Sequence, residues 1–178
     1  MKKHKKSLLF LLRFFVTYFL FFAIYSFYLN KNQQKQYDFK VDPITEYVAH
    51  QTVFILNSSN YYSTTEQHKE ELSMKVIVEN TYVSRVIEGC NSVSIIILFI
   101  AFIIAFSGGF KATILYSIFG SLLIYGINIL RIAFLSVMLY KYPDERVLLH
   151  NIVFPAIIYG FTFLLWVIWV KRFSTLKR

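Results

Sequence analysis

Val86–Ile104 reads VIEGCNSVSIIILFIAFII, and at Cys90, the only cysteine in the chain, a polar segment turns into an unbroken apolar one. The runs on either side decide what kind of boundary this is. Downstream, the apolar stretch continues to about Phe106 and ends in Ser107-Gly108-Gly109. A further run extends from Ala112 to Tyr140, 29 residues interrupted by Gly120, Gly126, Asn128 and Arg131. Another, Ile152 to Val170, closes on two Trp beside a basic end, as an interfacial belt does. Upstream, Leu8–Leu29 reads LLFLLRFFVTYFLFFAIYSFYL, and its 22 residues make about 33 Å of helix, enough to cross a bilayer. That exceeds the roughly 7–15 apolar residues of a cleavable signal. Asn30-Lys31-Asn32 follows in place of a small-residue cleavage site, so an uncleaved anchor is expected.

Composition agrees with a membrane protein. The chain is 56% hydrophobic, 19% aromatic and only 16% charged, with a mean hydropathy of +0.50, whereas soluble domains carry about 25% charged residues. One cysteine excludes an intramolecular disulfide and with it a stapled extracellular scaffold. The net charge of +9 is placed as topogenic charge, not as a nucleic-acid surface: Lys2, Lys3, Lys5, Lys6 and Arg13 crowd the start, and Lys171, Arg172, Lys177 and Arg178 the end. No basic stripe with interleaved aromatics lies between them, so the lipid bilayer, and no nucleic acid, is the expected partner.

The expected fold is an all-α integral membrane protein, a four-helix transmembrane bundle with a small extracytoplasmic region between spans 1 and 2. Residues 1–29 form a basic tail and span 1, 30–89 the extracytoplasmic region, and 90–178 a three-span catalytic core with a basic C-terminus. Within the polar region, Pro43 opens ITEYVAHQTVFIL, an amphipathic helix; NSSNYYSTTEQHKEE reads as loop; MKVIVENTYVSRVIEG alternates with β-branched residues, as a short β-hairpin does.

Charge sets the orientation. The two ends and the Gly-Gly-Phe-Lys turn carry ten Lys/Arg and no acid, while 30–89 carries six Lys/Arg against eight acids. The termini are therefore expected in the cytoplasm and 30–89 outside.

On that topology three polar residues reach the outer boundary. Cys90 opens the second span and His150 the fourth. From Ala112 to Arg131 is 20 residues, about 30 Å of helix, which carries Arg131 across one hydrocarbon thickness. A span from Phe119 to Leu139 would instead leave Arg131 near the middle of the bilayer. An arginine in such a run costs at least about 2.5–3.5 kcal/mol on insertion, so it needs a reason to be there. A thiol near its ordinary pKa of about 8.5 needs a base or a neighbouring cation to become nucleophilic. His150 can take the proton, and Arg131 can stabilise thiolate or a tetrahedral oxyanion. Acyl-thioester chemistry is the natural result. Asn128, one turn before Arg131, is a candidate to hold the guanidinium or the substrate, and Asn151 to orient the imidazole or cap the fourth span. His4, His50 and His68 have no metal-ligand spacing and are given no chemistry. No Gly-rich phosphate loop, HExxH or CxxC occurs, so no cofactor and no metal is expected.

Glu88-Gly89-Cys90 entering a span, Asn128-Ile129-Leu130-Arg131 late in the next and His150-Asn151 opening the last resemble the exosortase/archaeosortase family of membrane cysteine transpeptidases. The chain looks most similar to the compact F-type exosortases of Gram-negative bacteria. The resemblance implies catalytic roles for Cys90 as nucleophile, Arg131 as electrostatic stabiliser and His150 as acid–base partner. It also implies the substrate class: membrane-anchored proteins with a C-terminal sorting signal, cleaved at the outer face. Many members show Cys-Ser-Gly where this chain has Cys90-Asn91-Ser92, and longer relatives have more spans, which leaves room for a small partner membrane protein. The competing reading is a non-enzymatic membrane subunit of a secretion or polysaccharide-export apparatus, with Arg131 paired to a partner's carboxylate and Cys90 serving as packing.

Overall fold

The computed structural model describes residues 2–34, 39–106 and 108–173. Ser107, Lys177 and Arg178, and the side chains of Lys2, Lys3, Lys5 and Lys6, lie outside the described part. The first helix, α1, is Lys2–Asn32. Helix α2, Pro43–Ser58, starts where the sequence signals it: the Asp42 carboxylate accepts the Thr45 N–H, and Pro43 occupies the first turn. At its other end Asn57 exchanges two hydrogen bonds with Ser63 and so fixes where the next strand begins.

That strand, β1 (Ser63–Gln67), lies in a stretch expected to be loop. It pairs antiparallel with β2 (Ser73–Val78), which pairs antiparallel with β3 (Thr81–Ile87), giving a three-stranded sheet where the sequence pattern suggested one hairpin. The sheet also means that the chain is not all-α. The β2–β3 connection is the two-residue turn Glu79-Asn80, both residues at positive φ, the geometry whose twist suits a hairpin. A register shift opposite Val76/Ile77 turns two successive residues of β3, Val83 and Ser84, inward. Ser84 thereby meets Ser136 on a helix far along the chain, at 2.8 Å.

After β3 a tight 3-10 turn, Glu88–Cys90, leads into α3, Val93–Ala105. Helix α4 runs unbroken over Phe110–Lys141, straight through Gly120, Gly126, Asn128 and Arg131. A short turn, α5 (Arg146–Leu148), and a π-helical turn, Leu149–Val153, deliver the chain into α6, Phe154–Arg172.

Among the described residues, three helices are long and apolar enough to cross a membrane: Leu8–Asn32, Phe110–Lys141 and Pro143–Arg172. The expected second span differs. Its 13 residues make about 20 Å, well short of a hydrocarbon thickness of about 30 Å. The cause is local: Cys90 is taken up in the 3-10 turn, Asn91 caps, and Ser92 is left-handed, so the helix begins only at Val93.

Buried side chains form two cores that share α4. The bundle core joins Phe99 and Ile103 of α3, Ile124 of α4, and Ile158, Leu165 and Trp169 of α6. Tyr116 ties α4 to α6 by donating to the Leu165 carbonyl at 2.7 Å, and Phe102 stacks on Trp166. Phe10 of α1 in turn meets Phe102 and Phe106. The cap core joins Val48 and Leu56 of α2, Val76, Val78 and Val86 of the sheet, and Ile132, Ala133 and Leu139 from the later half of α4.

Gly120 lets α3 and α4 approach: a Cβ there would sit 2.3 Å from the buried Phe99 ring. Gly120→Ala should therefore lower stability by about 1–3 kcal/mol, despite alanine's better helix propensity. Thermal unfolding in detergent reads this directly. Adding Phe99→Leu should recover most of the loss.

Candidate active site

Cys90 stands at the seam between the two cores. The β3 strand sends Val86 into the cap core, the 3-10 turn reverses the chain, and α3 departs into the bundle core. Hydrogen bonds hold the reversal at Glu88, Cys90, Asn91 and Ser92. The Asn91 N–H donates to the Glu88 carbonyl at 3.2 Å. The Cys90 carbonyl accepts from Asn128 Nδ2 at 2.7 Å. Asn91 Oδ1 accepts the Val93 N–H at 3.0 Å and opens α3. Ser92 sits at φ 66, a region that costs a non-glycine residue about 1–2 kcal/mol; its hydroxyl donates to the Asn91 carbonyl at 2.6 Å.

Arg131 lies on α4, and the rise from Phe110 sets its level. The 32-residue helix is about 48 Å long, and Arg131 comes about 32 Å along it. The bundle core ends by Ile127, whereas Ile132 and Ala133 already belong to the cap core. Arg131 is thus at the same seam as Cys90. Both line one cavity of about 670 Å³, together with Tyr159 of α6. Among the described residues no carboxylate pairs with Arg131: the two ion pairs are Lys75–Glu66 and Arg85–Glu71.

The cavity has three walls. Gly89 and Cys90 form one, with Ser84 and Arg85 of β3; Arg131, Ile132 and Leu135 of α4 form the second; Arg146, Asn151 and Tyr159 close the third. His68 and Glu71, from the β1–β2 loop, also line it. Gln67 fixes that loop, donating through Nε2 to the carbonyls of His68, Glu71 and Ser73. The Glu70 N–H donates to His68 Nδ1 at 3.2 Å, so the neutral imidazole carries its proton on Nε2.

The sequence-expected residues fare differently. Cys90 and Arg131 come together in the cavity. The His150 side chain lies outside the described residues; its backbone is in the π-helical turn Leu149–Val153, next to the cavity-lining Asn151. Asn128 holds neither guanidinium nor open cavity wall: it is fully buried and grips the Cys90 carbonyl. His50 borders a separate groove with Glu46 and Glu66. Among the described residues no His/Cys/Asp/Glu group is arranged to hold a metal.

A family model described as transmembrane exosortase matches residues 6–172. The chain belongs to this family. Membership makes it a membrane transpeptidase or protease at the family level, embedded in the bilayer by its long apolar helices. No curated protein and no solved structure matches the chain.

In this exosortase the substitution Asn91-Ser92 for Ser-Gly has a physical reading. The second position is left-handed here, the conformation that glycine adopts without strain. Ser92 takes it because Asn91 anchors the turn through its side chain. Sequence reasoning on this exosortase missed two groups: His68, which carries no motif, and the buried partners of Asn91. The adjacency of Asn91 to the lone cysteine was the one available signal.

Proposed function

We propose that this exosortase, most like the compact F-type, is a thiol transpeptidase for protein sorting. It cuts the C-terminal sorting signals of exported, membrane-anchored proteins at the outer face of the bacterial inner membrane, its own termini being cytoplasmic. One observation carries this reading: Cys90 and Arg131 line one cavity where the bundle core meets the cap core. At that seam a substrate helix lying alongside the bundle would present the peptide bond just beyond its own apolar segment.

The chemistry uses the chain's own groups. With His150 as base, Cys90 Sγ loses its proton and attacks the scissile carbonyl carbon. The C=O electron pair moves to oxygen, where Arg131 balances the charge. Collapse restores the carbonyl and breaks the C–N bond; the proton taken from sulfur passes to the leaving amine, and an acyl thioester stays on Cys90. Water or an acceptor amine then attacks that carbonyl, the C–S bond breaks and the thiolate returns. Water gives hydrolysis, an amine gives transfer.

Hydroxylamine tests the intermediate. Added to membranes that are processing a tagged substrate, it should intercept the thioester, so that cleaved C-termini appear as hydroxamates by mass spectrometry. Continued processing with only unmodified C-termini would overturn the mechanism.

His68 lines this cavity and the His150 backbone lies in the turn beside it, and mutation separates their roles. His150→Ala should slow processing about a hundredfold, the usual worth of a general base, and His68→Ala no more than severalfold. Rates of tagged-substrate cleavage in isolated membranes decide it; the reverse ranking moves the base to His68.

A further inference from the structure

Asn91 is fully buried, and its amide orientation is fixed by three partners. Oδ1 accepts the Val93 N–H at 3.0 Å, so Nδ2 faces two hydroxyl oxygens: Tyr25 Oη at 2.8 Å and Thr45 Oγ1 at 3.1 Å. Thr45 cannot turn away. Its own hydrogen goes to Asp42 Oδ2 at 2.7 Å, while Asp42 Oδ1 takes the Thr45 N–H. Asp42 and Thr45 are themselves fully buried, and Tyr25 nearly so. Three polar side chains, Tyr25 from α1 and Asp42 and Thr45 from the start of α2, thus converge on one residue beside the thiol. The helix-opening bond to Val93 needs only Oδ1; the two Nδ2 bonds have no role in α3. They set where Asn91, and with it Cys90, stands relative to α1 and α2.

We propose that Tyr25 and Thr45 are positioning residues for the Cys90 thiol, acting through Asn91. The inference rests on Cys90 being the nucleophile. Asn128 grips the Cys90 carbonyl from α4, the helix that also carries Arg131; the Tyr25–Asn91–Thr45 bonds grip the following residue from α1 and the start of α2. The turn that carries the sulfur is therefore held by two anchors, one of them on the helix that bears the guanidinium. Loss of either Nδ2 partner strands a buried N–H and frees the turn to shift, which weakens the stabilisation of the thiolate by Arg131.

The experiment uses the full chain in lipid vesicles and measures Cys90 alkylation by iodoacetamide across pH. Tyr25→Phe and Thr45→Val are each expected to move the midpoint of the profile upward and to slow alkylation at pH 7 by about three- to tenfold. Thr45→Ser keeps the hydroxyl and should restore the parent profile. Tyr25→Phe keeps the ring and serves where Thr45→Val disturbs the start of α2. An unchanged profile and rate in Tyr25→Phe overturns the proposal. The underlying reading fails separately: if Cys90→Ala still processes substrate, the nucleophile assignment is wrong whatever the alkylation profiles show.

Discussion

Cys90→Ala, expressed in place of the parent chain, should insert normally and process no detectable substrate. Removing the nucleophile of a covalent hydrolase costs on the order of 10⁶ in rate, because the remaining groups act as a unit with it. Structure should be little affected. The turn is fixed through the Cys90 carbonyl and the Asn91 side chain, not through sulfur, and Cys90 is only partly buried at the edge of the cap core. Cys90→Ser should be nearly as inactive, since a hydroxyl does not ionise under conditions that suffice for a thiol. Membrane fractionation with immunoblotting of a tagged substrate separates insertion from processing. Full processing by Cys90→Ala ends the enzymatic reading.

Arg131→Met should divide activity from stability. Processing is expected to fall about a thousandfold, the upper range for removal of a donor that stabilises a tetrahedral oxyanion. Insertion should be equal or better, because a charge in an apolar helix carries a cost of about 2.5–3.5 kcal/mol that methionine does not. No described carboxylate loses a partner in the exchange. Arg131→Lys should retain part of the activity, keeping the charge but not the planar fork. Cleavage rate, membrane-inserted yield and unfolding temperature are the three readouts. A scaffold subunit that pairs Arg131 with another protein's carboxylate would behave oppositely: assembly would be lost with either substitution, and thiol alkylation would change nothing. The cavity shared by Cys90 and Arg131 favours the enzyme.

How far the sequence could be read depended on the range of the forces involved. Apolar blocks mark α1, α4 and α6 because crossing a bilayer is a property of the local run. Pro43 announced the start of α2, and β-branched alternation announced the strands before Cys90. β1 was missed because STTEQ has no apolar face of its own: it is an edge strand, held by pairing with β2 and by Asn57. The shortness of α3 was hidden because Asn91 and Ser92 look like the polar entry to a span, while their side-chain bonds and left-handed backbone postpone the helix. Gly120 sits within α4 without breaking it because tertiary packing there outweighs propensity, with Phe99 filling the space over it. For the site, depth counting along α4 placed Arg131 level with Cys90, whereas the Tyr25–Asn91 bond joins residues 66 apart in the chain. No periodicity reports a contact of that separation.

The single stripe on α4 has an evolutionary corollary. Ile124 packs in the bundle core, Asn128 grips the turn, Ile132 packs under the sheet and Ser136 meets Ser84, each one helical turn beyond the last. One residue inserted between Ile124 and Asn128 would swing everything beyond it by about 100°. Arg131 would rotate off its wall, and both the grip on Cys90 and the seat of the sheet would be out of phase together. Drift in length should therefore be absorbed at the helix ends or in the surface loops, while this interval keeps a fixed count.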